Sequence, residues 1–436
     1  MSGPSDCRLT SLAARALADT PAEVPAEAIE SVVAGHLARR EVFLDAVRRH
    51  GSPLYVIETG VLRERASRFV RAFQEAMPTP VRVYYAVKSN NHPAVAGTFV
   101  DGGLGLDVSS GRELQLALDA GASDIIFSGP GKTDDELALA VEHAGLVTVL
   151  MDSFSELQRL EAVASRNHAT VDAGVRLTTN PNGLWRKFGI PLPELGRFLS
   201  AARPCTHVRM RGLQFHTSWN LAPAAQTDFL RSLGQTLGEL PASLTAPLRF
   251  VDIGGGYWPE QGEWLQAAGT SAGAVRHLLA PEDAPPRRRY WMPGTPIEAF
   301  ARELAGAVRE HLLAHVKVDV HLEPGRWLCH HGMHILMTVV DRKADDLVIT
   351  DAGGNAVGWE RYETDFFPVI NLTRPAMTER ACDIHGCLCT PHDIWGYWFW
   401  GEDIQPGDVL LVPSQGAYTY SLRQDFIKPL PAVAIL

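Results

Sequence analysis

No stretch of this chain approaches the roughly 20 consecutive apolar residues of a membrane-spanning helix. The longest strongly apolar run, around Leu146 to Met151, is strand-sized. Basic residues do not dominate either: 40 Lys and Arg stand against 50 Asp and Glu, a net charge of −10. That balance excludes the positive footprint of a dedicated nucleic-acid binder. Cysteine is scarce, six in 436 residues, which is no disulfide framework and fits a reducing cytoplasm. The N-terminus carries Asp6 and Arg8 ahead of an Ala-rich amphipathic stretch and lacks the continuous apolar block of a secretory signal. No low-complexity tract or short internal repeat stands out. What is plentiful is apolar surface to bury: 46% of residues are hydrophobic and 21% charged, the balance of a folded protein with a full-sized core.

At roughly 100–200 residues per domain, the length allows two or three domains, or one large barrel with a smaller partner. Residues 1–50 read as a helical extension rich in Ala, Leu, Glu and Arg, punctuated by Pro21 and Pro25. Residues 51–58 hold a short β-type run, Pro53 to Ile57, expected to join a β domain. Thr59 can then cap a helix whose apolar positions Leu62, Ala66, Phe69, Val70 and Phe73 share one face.

From there strand-like runs alternate with amphipathic helical ones. The runs start at Val81, Leu104, Asp124, Leu146, Gly174, Met210, Leu248 and Val316. Such alternation implies parallel strands with right-handed crossovers. Eight repeats fit a closed (β/α)8 barrel of the TIM type over 59–324, an open sheet with extra strands being the alternative. The long connection after the seventh strand, with its Pro/Arg-rich piece APPRRRYWMPGTP, reads as an insertion. After residue 324 long helices become scarce, and HILMTVVDRK, DDLVITDAG and DVLLVP read as strands of a β-sandwich or barrel-like domain over 325–436.

A barrel places functional residues at the C-terminal ends of its strands. Those ends carry Lys88, Asp107, Ser128, Asp152, Arg176, His216, the run Gly254, Gly255 and Gly256, and Glu323. Strand alternation puts Lys88 on the same face as Arg82, Tyr84 and Ala86. A lysine at the mouth beside tyrosines can be partly desolvated, which makes it a nucleophilic amine. The glycine run follows an apolar strand, and its backbone N–H groups can converge on a phosphate. It is not a dinucleotide fingerprint. A nucleophilic lysine and a phosphate cradle at one barrel mouth suggest pyridoxal 5'-phosphate. That cofactor also needs an acid at its ring nitrogen, for which Glu323 is placed, and a residue against its ring face, for which His216 is placed. Each residue has a plain alternative: a solvated lysine, a flexible turn, an ion-paired carboxylate, a core histidine.

Taken together, the motifs resemble the fold-type-III pyridoxal-phosphate-dependent decarboxylases that act on ornithine, lysine, arginine and diaminopimelate. The resemblance runs from about residue 51 to the C-terminus, with the motifs in the family's order. It implies that Lys88 in YAVKSN bears the cofactor, with Asp107 and Glu113 of LDVSSGRE around it. Arg176, Lys187 and Phe188 correspond to GVRLTTN and RKFG. His216 of QFH would stack on the ring, DIGGGY would hold the phosphate, and EPGR would supply Glu323 for the ring nitrogen and Arg326 for the phosphate. Cys389 of CTPHD would act at the cofactor of a neighbouring subunit, which implies a homodimer with shared sites, and Tyr418 of GAY would touch phosphate.

The chain also departs from that pattern. The family's Gly-Ser pair after the histidine is replaced by Ser218 and Trp219, so the serine expected at the phosphate is either displaced by one, to Ser218, or replaced by Trp219. The acid that follows the cysteine is here Thr390. Asp351 is kept, but the arginine that diaminopimelate enzymes place after it for the second carboxylate is missing. Asp351, Thr390 and Asp393 are thus the candidates for reading the substrate's distal group, and the expected substrate is a diamino acid or related small amino acid in an altered pocket. A larger conjugated or carrier-bound amino-acyl group is the alternative. An alanine-racemase-type enzyme would set an arginine at the ring nitrogen, against Glu323, and a non-catalytic cofactor carrier would lack the second domain. The Cys/His clusters near Cys329 and Cys382 lack the spacing of a structural zinc site, so no metal is expected.

Overall fold

The computed structural model describes residues 4–18, 20–280, 287–358 and 364–436. The chain divides into two compact units, one of residues 59–260 and 295–329, the other of 1–58, 261–294 and 330–436.

The first unit is a closed barrel of eight parallel strands. They are β1 (Val81–Ala86), β2 (Gly105–Val108), β3 (Ile125–Phe127), β4 (Val147–Met151), β5 (Val171–Leu177), β6 (Val208–Phe215), β7 (Phe250–Asp252) and β8 (Asp319–Leu322). β8 closes the ring by pairing with both β7 and β1. The interior is filled by large residues on some strands and vacated by glycine on others. Tyr84, Ile126, Leu150 and Phe250 form a buried cluster. A Cβ at Gly105 would lie 2.4 Å from the Tyr84 ring, and one at Gly212 would lie 2.1 Å from the Phe250 ring. These two glycines are therefore the space that the aromatic rings occupy.

The helix Thr59–Ala76 buries Leu62, Ala66, Phe69, Ala72 and Phe73. Thr59 is its first residue rather than a cap outside it, and Val70 is only half-buried. The helices after β2, β3 and β4 share one start signal. Ser110, Thr133 and Ser153 each accept a hydrogen bond from the backbone N–H of a glutamate three residues on, which satisfies donors that the first turn leaves open. Rigid helix starts directly after the strand ends hold the barrel mouth in place. The buried pair Lys132–Glu156, at 2.8 Å, adds to this, because Lys132 also donates to the carbonyls of Gly129 and Leu150 at the ends of β3 and β4.

A cavity of about 660 Å³ opens at the opposite end, around Arg82, Tyr84, Asp124 and Asp172. Its polar groups pair among themselves: Arg82 and the Tyr84 hydroxyl both donate to Asp124, at 2.8 and 2.9 Å. The cavity holds none of the strand-end residues.

The second unit contains an eight-stranded sheet ordered Leu347–Thr350, Glu379–His385, Ile394–Trp400, Ile370–Asn371, Val409–Val412, Met333–Ala344, Leu54–Ile57 and Ala432–Ile435. Leu347–Thr350 also pairs back onto Met333–Ala344, so the first six strands form a barrel-like ring. Leu54–Ile57 joins this sheet through Met333–Ala344. Helices Pro4–Ala18, Ala26–Leu37 and Arg40–His50 precede it. The aromatic strand Ile394–Trp400 buries Trp395, Phe399 and Trp400.

The expected boundary of 59–324 for the barrel needs correction. Residues 261–294 belong to the second unit, and the barrel unit runs on to Cys329. The reason is pairing: Glu263–Gln266 and Arg289–Met292 build a three-stranded sheet with Ala22–Glu23. Trp264 joins the apolar cluster of Ile29, Val33 and Phe43. Part of the Pro/Arg-rich piece, 284–286, lies outside the described residues. No described helix is long and apolar enough to cross a membrane.

Candidate active site

Lys88 is not on a strand. β1 ends at Ala86, and Val87–Ser89 form a 3-10 turn, so the expected alternation stops before the lysine. Its Nζ donates to Oδ2 of Asp107 at 2.6 Å, with the lysine side chain about one-third exposed and the carboxylate fully buried. Asp107 also accepts from the Ser128 hydroxyl at 2.6 Å. Burial, with the nearby charge of Glu323, pushes the Asp107 carboxyl up to about 6 against the opposing pull of Lys88. Glu113 caps the adjoining loop by accepting from the Ser109 N–H at 2.8 Å, and burial raises its pKa.

At the end of the strand next to β1, Glu323 follows β8 and is almost wholly buried. Gln214 on β6 donates to it at 3.3 Å, and the His216 ring lies 3.7 Å away. Burial alone would raise this carboxyl, yet the His216 ring and the cations Lys88 and Arg176 hold it down to about 2. It stays ionised. His216 accepts the Gly255 N–H at Nδ1, 3.1 Å. Its Nε2 lies 3.4 Å from the Ser218 hydroxyl. Burial lowers the pKa of the ring, so it is neutral.

The glycine run departs from a simple nest of three outward amides. The Gly254 N–H is taken by Asp252 at 2.8 Å, and the Gly255 N–H by His216. Gly254 and Gly256 sit at φ +72° and +85°, where glycine is the residue without strain. A Cβ on Gly255 would meet the Glu323 carbonyl at 2.3 Å. The run thus wraps closely around the acid and the imidazole. Asn220 pins the neighbouring loop to it, its N–H bonding Gly256 O and its side chain Gly255 O, both at 2.9 Å. Trp219, at the place of the family serine, is 58% exposed with φ +54°.

Arg176 is buried and stacks on Phe188 at 4.4 Å. Arg326 stacks over Trp258 at 4.3 Å. Asp351, Cys389, Thr390, Asp393 and Tyr418 belong to the second unit. There Cys389 is exposed, Thr390 half-buried, and Tyr418 half-buried at φ +58°.

Asp393 corrects an expectation. It is buried, and its carboxylate accepts the N–H groups of Gly354 at 2.7 Å and Leu388 at 2.6 Å. It holds two loops together and is not a loose acid for a substrate. Asp351 likewise accepts the Thr338 N–H at 2.8 Å. Of the segment 351–359, DAGGNAVGW, in which the diaminopimelate-type arginine was sought, the last residue, Trp359, lies outside the described residues.

The barrel mouth therefore brings together an amine on a buried acid, a neutral imidazole and an ionised carboxylate. Residues 62–330 match the family model described as "Pyridoxal-dependent decarboxylase, pyridoxal binding domain". The chain belongs to this family. Among curated relatives, it is 26% identical over 411 residues to a diaminopimelate decarboxylase of Aquifex aeolicus, covering 88% of each chain. A second, from Mycobacterium leprae, is 29% identical over 416 residues, covering 88% of this chain and 81% of that one. Among solved structures, diaminopimelate decarboxylase from Helicobacter pylori complexed with L-lysine superposes with a TM-score of 0.73 at 20% identity, over 90% and 94% of the two chains. The lysine/ornithine decarboxylase of Vibrio vulnificus complexed with putrescine gives 0.70 at 21%, over 91% and 98%. These two show the shared fold.

As a pyridoxal-dependent decarboxylase, the chain is a carboxy-lyase that acts on an amino acid with pyridoxal phosphate. The residues present fit that cofactor. Lys88 offers a primary amine, Glu323 an ionised acid for the ring nitrogen, His216 a neutral ring, and the glycine run a surface that any Cβ would fill. Sequence reasoning named Ser128 and Asp152 as polar strand ends without giving them roles, and it passed over Gln214 and Asp252. Gln214 and Asp252 each stand two residues before one that was named, His216 and Gly254.

Proposed function

We propose that the chain decarboxylates, at the α-carbon, a diamino acid whose distal group is neutral or acylated rather than a free ammonium or a second carboxylate. In this reading Lys88 binds the cofactor, Glu323 keeps a proton on its ring nitrogen, and His216 packs on its face. The bound cofactor supplies an electron sink for the pair left at the α-carbon when CO2 departs. Cys389 of a second subunit then delivers a proton to that carbon, which makes the working unit a homodimer with shared sites.

The observation that carries the substrate choice is the state of the acids near the cysteine. Thr390 has no charge, and Asp393 is taken up by the amides of Gly354 and Leu388. A distal ammonium would therefore lack from these residues a charge-assisted contact of about 1.5–3 kcal/mol. The half-buried Tyr397 and Trp398 that follow Asp393 suit a bulkier group.

The test is CO2 release over free ornithine, lysine and diaminopimelate and over their distally acylated forms. Acylated forms should be turned over with the higher kcat/KM, and Thr390→Asp should shift preference toward free ornithine or lysine by about tenfold, or ~1.4 kcal/mol. High kcat/KM of the unmodified protein on free lysine or diaminopimelate would contradict this substrate assignment.

A further inference from the structure

We propose that Asp252 is a positioning residue whose carboxyl group donates a hydrogen bond to Glu323 and fixes the carboxylate that meets the cofactor ring. The inference rests on the reading of Glu323 given above.

Asp252 is the last residue of β7 and is fully buried. It stands in register with Gln214 on β6 and His321 on β8, inside the barrel wall just below the mouth. Its Oδ1 accepts the Gly254 N–H at 2.8 Å, while Oδ2 meets no N–H or O–H donor among the described residues. The Glu323 carboxyl is close by: Gln214, in register with Asp252, donates to it at 3.3 Å, and the Glu323 N–H bonds the carbonyl of Gly254 at 2.9 Å. Two carboxylates hold only acceptors, so a buried contact between them requires one proton.

The surroundings decide which acid carries it. Glu323 faces the cations Lys88 and Arg176 and the amide of Gln214. The titratable groups around Asp252 are Glu323, Asp107, Tyr84, Tyr257 and, in register on β8, His321, whose burial lowers its pKa to about 3 and keeps it neutral, so none of them is a cation. Burial first, and then the charge of Glu323, raises the Asp252 pKa well above the carboxylate range. Asp252 is then the neutral acid, its O–H directed to Glu323 and its carbonyl oxygen to Gly254. One side chain so ties the glycine run to the ring-nitrogen acid. A buried acid that only anchored the loop would need the Gly254 contact alone.

The experiment is an infrared difference spectrum, without cofactor, between the unmodified protein and Asp252→Asn at pH 7. A protonated carboxylic-acid C=O band that shifts in D2O is expected. In the Glu323→Gln background the same band should give way to a carboxylate band at lower pH, because the anion that holds the proton on Asp252 is gone. With cofactor, Asp252→Asn, whose amide still donates to Glu323 and accepts from Gly254, should keep turnover within about threefold. Asp252→Val should lose at least about tenfold. A carboxylate band for Asp252 at pH 7, or a titration indifferent to Glu323→Gln, overturns the proposal. The spectrum is read without substrate, so it can fail while decarboxylation stands, and the reverse.

Discussion

Lys88→Ala should yield a folded protein that stays colourless with added pyridoxal phosphate and shows no measurable CO2 release. The unmodified protein should absorb in the visible region, and borohydride should leave the pyridoxyl group on the peptide that contains Lys88. The fold should survive because the partner left behind can neutralise itself. Asp107 is already pushed up to about 6 by burial and by Glu323, with Lys88 holding it down. Without that cation its pKa rises further, and the buried acid becomes neutral rather than an unpaired charge. Circular dichroism unchanged from the unmodified protein checks this step. Mixed with Cys389→Ala, itself nearly inactive, the variant should regain part of the activity, since a hybrid dimer rebuilds one complete site. No recovery despite demonstrated subunit exchange would remove Cys389 from a shared site.

Glu323→Gln should retain the cofactor yet lose at least about a hundredfold in turnover, or ~2.7 kcal/mol of barrier. Glutamine has nearly the same shape and can still meet the Gln214 side chain and the glycine run. It lacks the ionised oxygen that Lys88 and Arg176 maintain at neutral pH, and so cannot keep a proton on the ring nitrogen. Cofactor affinity by absorbance titration separates the two effects. Turnover unchanged in this variant would take Glu323 out of the chemistry.

The barrel was legible because its strands carry short apolar runs, and because a parallel barrel forces its chemistry to the strand ends. Lys88, Asp107, His216 and Glu323 were found by that rule. The immediate geometry was not legible. The turn at Val87–Ser89 depends on packing, as with Gly325, whose added Cβ would lie 2.9 Å from Ser89. The glycine run looked like three free amides, yet two are used by Asp252 and His216, partners that come from neighbouring positions in space. Asp393 reads in sequence like an acid awaiting a substrate. Only the amides of Gly354 and Leu388 reveal it as a clasp. The segment 261–294 was misplaced because its strand Arg289–Met292 pairs with Ala22–Glu23, far away along the chain.

The most direct test of decarboxylation itself is turnover of a substrate in D2O with both products counted. One CO2 should appear per amine, and the amine should carry one deuterium at the former α-carbon. Deuterium entering recovered amino acid, with no CO2, would contradict decarboxylation and assign the chain to racemisation.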